Sequence, residues 1–185
     1  MIDESHSQTP RLMLRDVCAG DEDAVAALLG DMRVVKNMLF SLHTPAEAAQ
    51  FTARASRMRQ ADPLVNFGLA IVDRAGGAPI GLAGLVLNAR LASGEAWYLL
   101  APAAWGRGLA TEALEALARI GFTELKLHRL WATCLPENPA SSRVLEKAGF
   151  RLEGRHVKNL PIHGEWRDSW SYALLAEEWR ARSRS

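Results

Sequence analysis

Hydrophobic and polar residues alternate with a period of two in several short stretches, a pattern that predicts β-strands. The first stretch, Arg11-Leu12-Met13-Leu14-Arg15, predicts an opening strand. Three stretches in the middle of the chain are joined by short turns that contain glycine, which predicts an antiparallel meander. The predicted strands cover residues 11–15, 65–72, 80–87, 95–100, 129–135, 150–158 and 168–175.

Helical periodicity replaces this alternation first between strands one and two. Asp21 is expected to cap a helix whose apolar positions are 24, 25, 28 and 29. A second helix is predicted from Thr44-Pro45-Ala46-Glu47, where a capping Thr, a Pro at the first helical position and a Glu three residues after the cap coincide. This helix is expected to run to about Gln60, before a break at Asp62-Pro63, and residues 32–43 are predicted to be an irregular connection.

Two further helices are predicted in the second half of the chain. Residues 108–121 place their apolar positions on one helical face, and residues 140–148 form a shorter helix with Gly149 where a glycine commonly ends one. The predicted order is β-α-α-β-β-β-α-β-α-β-β, with no internal repeat. We expect one domain with a core over about 11–179 and flexible tails at 1–10 and 180–185.

Composition excludes several classes of protein. The chain has 185 residues, 49% of them hydrophobic and 23% charged, which argues against a disordered or fibrous protein. A net charge of +1 argues against nucleic acid or an anionic membrane as a partner. Cys18 and Cys134 lie far apart and lack metal-ligand spacing, so we expect neither a disulfide framework nor a metal site. The start of the chain does not look like a signal peptide, and we expect a soluble, cytoplasmic protein.

The segment Trp105–Ala113, which reads WGRGLATEA, joins a predicted strand to a predicted helix. Its two glycines allow the backbone to approach a ligand closely, and the start of the helix adds unpaired N–H donors and a positive dipole. Together these features predict a pyrophosphate site, with a purely structural turn as the alternative. Two other phosphate-binding motifs are excluded. Thr111 occupies the position where a dinucleotide-binding motif needs Gly or Ala, and the Lys of a P-loop is missing after Gly108.

Three blocks of sequence support a family resemblance. WGRGLATEA is the first, and residues 136–150, PENPASSRVLEKAGF, are the second. The third contains Glu153-Gly154, Gly164-x-Trp166-x-Asp168, Tyr172-Ala173-Leu174-Leu175 and Glu178-Trp179. In this order the chain resembles the GNAT superfamily of acetyl-CoA-dependent N-acetyltransferases, and most closely the RimJ/RimL branch that acetylates N-terminal amines of ribosomal proteins.

The resemblance implies an α/β fold, with a mixed, mostly antiparallel seven-strand sheet and helices on both faces. The strand from Glu95 to Leu100 would splay from the strand at 129–135, and its free edge would bind the pantetheine arm of acetyl-CoA. Asn138 would form a hydrogen bond with the same arm, unless it serves only as a turn residue before Pro139. Arg143 could contact the cofactor phosphates. The implied cofactor-binding residues are Leu99, Leu100, Trp105, Gly106, Arg107, Gly108, Leu109, Ala110, Thr111, Asn138 and Ser141, without a metal.

Acetyl transfer also needs a neutral amine, a stabilised oxyanion and a departing thiolate. Glu95 is the first candidate base, directly or through water, with an exposed strand-end carboxylate as its alternative; His43, His128, His156 and His163 are weaker candidates. Backbone N–H groups at Tyr98 and Leu99 would serve the oxyanion. Many relatives place a Tyr acid where this chain has Leu145, so Ser141 is the expected substitute, unless its hydroxyl only caps the helix.

The acceptor is not encoded in any of these motifs. A free α-amine has a pKa of about 7.7–8.0 and is deprotonated by a weaker base than a lysine amine, whose pKa is about 10.4. A protein N-terminus is therefore the first expected acceptor. A small amine such as a polyamine and a non-catalytic acyl-CoA-binding module are the alternatives, and a homodimer is left open. Trp166 is a candidate for a wall of the acceptor slot, whereas Trp97, Trp131 and Trp170 are expected in the core. The cluster Arg54, Arg57 and Arg59 is expected to form a solvated helix face.

Overall fold

A computed structural model describes residues 7–38, 42, 44–59 and 64–183. The predicted break at Asp62-Pro63 and the candidate His43 lie outside the described residues, as does the side chain of Arg59. None of the helices in the described ranges has the length and hydrophobicity of a membrane span.

Seven strands and six α-helices make up the described fold. The strands are β1 (Leu12–Asp16), β2 (Asn66–Asp73), β3 (Gly81–Asn88), β4 (Ser93–Leu100), β5 (Arg129–Cys134), β6 (Arg151–Ile162) and β7 (Glu165–Leu175). The helices are α1 (Glu22–Gly30), α2 (Met32–Val35), α3 (Pro45–Arg59), α4 (Leu109–Thr123), α5 (Pro139–Lys147) and α6 (Ala176–Arg182).

All seven strands form one sheet in the order β1-β2-β3-β4-β5-β7-β6. Every neighbouring pair is antiparallel except β4 and β5, which run parallel and pair only from Ser93↔Arg129 to Glu95↔Trp131. The expected mixed, mostly antiparallel sheet is therefore confirmed. The short β4–β5 ladder shows that the two central strands separate after Glu95.

Helices cover both faces of the sheet because alternate strand residues point to opposite sides. On one side Leu69, Ile71 and Leu85 pack with the buried face of α4. On the other side Ala70, Val72 and Leu82 pack with α1, α2 and α3, where the buried residues include Val25, Leu29, Val35 and Ala48.

Several boundaries differ from the sequence-based expectation. Residues 32–35 form the short helix α2 inside the predicted irregular connection, and β6 extends to Ile162. The expected frayed tail is wrong for residues 180–182, which lie in α6, where Arg182 donates to the Lys147 carbonyl at the end of α5 (3.1 Å). At the other end Thr9 is buried and hydrogen-bonded to Leu12, so this part of the predicted tail is packed as well.

Two predicted helix starts have different outcomes. At α3 the expected reciprocal cap is present, because Thr44 N–H donates to Glu47 Oε2 (2.9 Å) and Glu47 N–H donates to Thr44 Oγ1 (3.2 Å). Asp21, in contrast, makes no side-chain cap to α1. Its carboxylate accepts two hydrogen bonds from the Arg15 guanidinium, both 2.8 Å. The carboxylate therefore binds a side chain of β1 instead of capping α1.

Candidate active site

A cleft opens where β4 leaves β5, and it belongs to a continuous cavity of about 1340 Å³. Glu95 lies at the last β4–β5 pair, at the apex of the opening. Beyond it, residues 96–100 of β4 stay paired to β3 but have no ladder to β5. Because alternate backbone groups of a strand point to each neighbour, this edge of β4 presents unpaired amides to the cleft.

The alternation of β4 divides the cleft into two sides. Tyr98 packs with the core that contains α4, on what we call the loop side of the cleft. Trp97 and Leu99 pack with the helices α1–α3, on what we call the α3 side, and Glu95 shares this orientation by alternation. A ligand in the cleft would therefore meet Tyr98 on one side of β4 and Glu95 on the other.

The glycine loop forms the end of the loop side. Gly106 and Gly108 have φ of 73° and 76°, in the left-handed region that favours glycine. Gly108 is the N-cap of α4 and offers no side chain to the first N–H groups of that helix. A Cβ at Gly106 would meet no atom within 4 Å, so the space in front of the loop is open. Free donors, a helix dipole and open space fit an anionic pyrophosphate group.

Trp105 anchors this loop to the end of β4. Its indole Nε1–H donates to the Leu100 carbonyl (2.8 Å), and the side chain is otherwise 47% exposed. The Trp at the first position of the motif thus has a structural hydrogen bond, and Gly106, Gly108, Leu109, Ala110 and Thr111 line the cavity behind it. Arg107 does not line the cavity.

A second set of contacts fixes the loop from the segment just before β1, and no local sequence pattern predicts them. Glu112, in the first turn of α4, accepts hydrogen bonds from Thr9 Oγ1 (2.5 Å), Arg11 N (2.9 Å) and Arg11 Nε (2.7 Å). Arg11 Nη1 in turn donates to the Arg107 carbonyl (2.8 Å). We call Thr9, Arg11 and Glu112 the loop clamp, because Arg11 connects Glu112 to a carbonyl of the glycine loop.

The hydroxyl of Ser141, the expected acid, lies beside the hydroxyl of Tyr98. Tyr98 Oη and Ser141 Oγ are 2.8 Å apart, and either can donate. Burial raises the pKa of Tyr98, so its hydroxyl keeps its proton at neutral pH. Asn138 caps α5 by accepting from Ser141 N–H (3.2 Å), which leaves its amide N–H groups to other partners. Ser141 Oγ is therefore turned toward Tyr98 in the cleft.

Glu95 is a half-buried carboxylate on the α3 side. Burial raises its pKa, since a charged carboxylate loses hydration there. Trp131 and Val86 are its neighbours across the sheet, so apolar residues flank it on both strands. A carboxylate of this kind binds a proton more readily than an exposed one, as a general base must.

Other candidates lie elsewhere. His128, His156 and His163 are exposed, and none lines the cavity. Leu145, at the position of the family's Tyr, is fully buried. Trp166 is 61% exposed and lines a smaller pocket of about 490 Å³ with Trp170, and it does not line the main cleft. Among the described residues, no group of three His, Cys, Asp or Glu side chains could hold a metal ion.

Comparison with known proteins identifies the family. Residues 11–151 match the family described as "Acetyltransferase (GNAT) domain". The uncharacterized N-acetyltransferase YnaD of Bacillus subtilis is 33% identical, over 94% of this chain and 99% of the relative. The [ribosomal protein uS5]-alanine N-acetyltransferase of Escherichia coli is 38% identical over 74 residues, which cover 40% of this chain and 38% of the relative.

A solved structure agrees with the fold. The spermidine N-acetyltransferase of Vibrio cholerae in complex with CoA and spermine superposes with a TM-score of 0.81, at 22% identity, over 93% of this chain and 99% of that one. At this identity the likeness supports the fold alone. Together with the family match and the full-length relative, it leads to one conclusion: this chain belongs to the GNAT family and is an N-acetyltransferase.

Proposed function

We propose that this N-acetyltransferase moves the acetyl group of acetyl-CoA to the α-amine of a protein N-terminus, by direct attack in a ternary complex. One observation carries the choice of amine. Among the described residues, Glu95 is the one half-buried carboxylate that lines the cleft, at the apex of the β4–β5 opening, and the three described histidines lie outside it. A weak base of this kind suits an α-amine, of which roughly a tenth or more is neutral at pH 7.

Acetyl-CoA supplies the activated thioester, and the loop side of the cleft has the groups to hold it. N–H groups from Gly106 to Thr111 would bind the pyrophosphate, with the helix dipole of α4 behind them. The free edge of β4 would pair with the pantetheine amides as an added strand. Asn138, at the start of α5, would donate its amide N–H to the same arm.

Three groups of this chain would then serve the reaction. Glu95 accepts the proton of the attacking amine, directly or through a water molecule. Backbone N–H groups at Tyr98 and Leu99 stabilise the oxygen on which negative charge develops. Ser141 donates a hydrogen bond to the departing sulfur, and Tyr98 orients the Ser141 hydroxyl across their 2.8 Å contact.

The relatives support both an N-terminal and a polyamine acceptor, so polyamine acetylation is the second candidate. One relative acts on an alanine of a ribosomal protein, and a structural neighbour was solved with spermine. A thiol-release assay with matched acceptors separates the two candidates. We expect turnover with a peptide that has a free N-terminal Ala or Ser. The same peptide with a blocked N-terminus and an internal Lys is the control.

Two results would contradict this proposal. Turnover with spermidine but not with the free N-terminal peptide would assign the protein to the polyamine class. Acetyl-CoA binding without turnover of any amine would indicate a non-catalytic acyl-CoA-binding module.

A further inference from the structure

The α3 side of the cleft has an apolar floor. Gly68 and Gly84 are paired across β2 and β3, and Gly84 pairs with Trp97 on β4. The indole of Trp97 lies over Gly68, with its Cζ2 atom 3.6 Å from where a Cβ would stand. Two glycines in one row therefore give the ring room to lie across the sheet. Such a floor binds the apolar part of an acceptor and provides no charge of its own.

Helix α3 forms the facing wall. Its lining residues recur at helical spacing and share one face of the helix: Glu47, Gln50, Phe51, Arg54, Ala55 and Met58. Arg54 stands in the middle of this face. Arg57 is on the same helix but does not line the cavity. Arg54 and Arg57, grouped by sequence into one solvated cluster, are thus not equivalent.

The charges on this side are mostly positive. The described charged residues that line it are Arg33, Lys36, Glu47, Arg54 and Glu95. Arg33 is paired with Asp31 (2.6 Å), and Glu47 accepts from Thr44 N–H at the start of α3. Within the described ranges, Arg54 and Lys36 have no carboxylate partner, and Glu95 is the carboxylate at the apex.

We propose that the acceptor carries a carboxylate close to its reactive amine, and that Arg54 and Lys36 bind this carboxylate while the amine reaches Glu95. This inference rests on the proposed function and narrows it to N-termini with an acidic residue in the first few positions. Arg54 suits the task because a guanidinium can bind a carboxylate through two parallel hydrogen bonds. A polyamine would place its further ammonium groups beside these two cations, where like charges repel.

The test compares three peptides that differ only at the second and third residues: Ala-Asp-Glu, Ala-Asn-Gln and Ala-Lys-Lys. We expect the acidic peptide to have a kcat/KM about fivefold above the neutral one, the upper range for one partly solvated ion pair. The basic peptide is expected to be the poorest of the three. The preference is expected to shrink as ionic strength rises.

Matched variants locate the effect. Arg54→Gln is expected to abolish the acidic preference, so that the acidic and the neutral peptide have similar kcat/KM values. Arg57→Gln, on the same helix but outside the cavity, is expected to keep the preference. Arg54→Lys is expected to retain part of it, because the charge remains but the bidentate geometry is lost. Free alanine against alaninamide shows whether a free amino acid supplies the carboxylate instead.

The outcomes separate the inference from the function on which it rests. Equal turnover of the three peptides, or an acidic preference that persists in Arg54→Gln, would overturn the inference and leave α-amine acetylation intact. Faster turnover of free alanine than of the acidic peptide would show that a free amino acid supplies the carboxylate, and would overturn a peptide as the acceptor. Failure of every α-amine acceptor alongside turnover of spermidine would overturn both.

Discussion

Replacing Glu112 by glutamine is expected to loosen the glycine loop without touching the cofactor directly. The carboxylate of Glu112 is the common acceptor of the loop clamp, and its side chain is only 12% exposed. An amide of the same shape loses the charge that pairs with Arg11 and one of the two oxygen acceptors. Arg11 would then hold the Arg107 carbonyl less firmly, and the loop N–H groups would be less well aligned for pyrophosphate.

The magnitude follows from the kind of contact that is lost. A hydrogen bond to a charged group contributes about 1.5–3 kcal/mol, and the 49% exposure of Arg11 favours the lower part of that range. A loss of about 2 kcal/mol in the free energy of unfolding corresponds to a decrease of about 4–8 °C in Tm for a chain of this size. We also expect the KM for acetyl-CoA to rise more than kcat falls.

The assays are a thermal melt and steady-state kinetics at varied acetyl-CoA. Glu115→Gln is the matched control, because it makes the same change one turn along α4 at an exposed position outside the clamp. Glu112→Asp, which restores the charge on a shorter side chain, is expected to recover part of the affinity. A Glu112→Gln protein with the Tm and acetyl-CoA KM of the wild type would refute a role for the clamp in shaping the loop.

The clamp also predicts a pH dependence. Burial opposes ionisation of Glu112, but the hydrogen bonds from Thr9 and Arg11 outweigh it and lower its pKa. A carboxyl with a lowered pKa in the folded state stabilises the protein above its unfolded pKa. This contribution is lost as the pH falls through the folded pKa. Wild type and Glu112→Gln should therefore approach each other in stability in acid, below about pH 4.

Three further predictions concern the groups assigned to the cleft. Gly108→Gln is expected to raise the KM for acetyl-CoA at least about tenfold, ~1.4 kcal/mol. Gly76→Gln, at a similar φ in an exposed turn, controls for backbone strain and should leave the KM for acetyl-CoA unchanged. Ser141→Ala is expected to lower kcat roughly ten- to a thousandfold, ~1.5–4 kcal/mol, with little change in acetyl-CoA affinity; unchanged turnover in a folded protein would show that the thiolate leaves unaided. Glu95→Gln is expected to lower kcat and to remove the pH dependence of a basic group. Burial penalises the ionised form of Glu95, so the same variant should melt no lower than wild type at pH 7, and a clear loss of stability would contradict that assignment.

Local patterns in the sequence predicted most of the fold. Alternation in residues 11–15 and short apolar stretches between turn residues elsewhere located the seven strands. Thr44 with Glu47 marked the start of α3 because a capping box needs only residues within one turn. The glycine loop was predictable for the same reason, since two glycines just before a helix permit the left-handed backbone that such a loop needs. The family resemblance, rather than periodicity, supplied the separation of β4 from β5.

Contacts between distant residues were not predictable from local patterns. Arg11 and Glu112 are far apart in the sequence, and nothing in the residues around either one indicates that the two side chains meet. Asp21 has the chemistry of a helix cap, yet Arg15 offers it a stronger charged partner. The division of the α3 arginines, with Arg54 facing the cavity and Arg57 outside it, depends on how α3 packs on the sheet.

Acetyl transfer to an α-amine is tested by locating the acetyl group on a peptide that carries two kinds of amine. A peptide with a free N-terminal Ala followed by acidic residues, and with one internal Lys, is incubated with acetyl-CoA and the protein. Fragment ions in a mass spectrum then locate the added acetyl group. We expect acetylation of the N-terminal amine, dependent on Glu95. Acetylation of the lysine amine alone, or no acetylated peptide while spermidine is consumed, would contradict it.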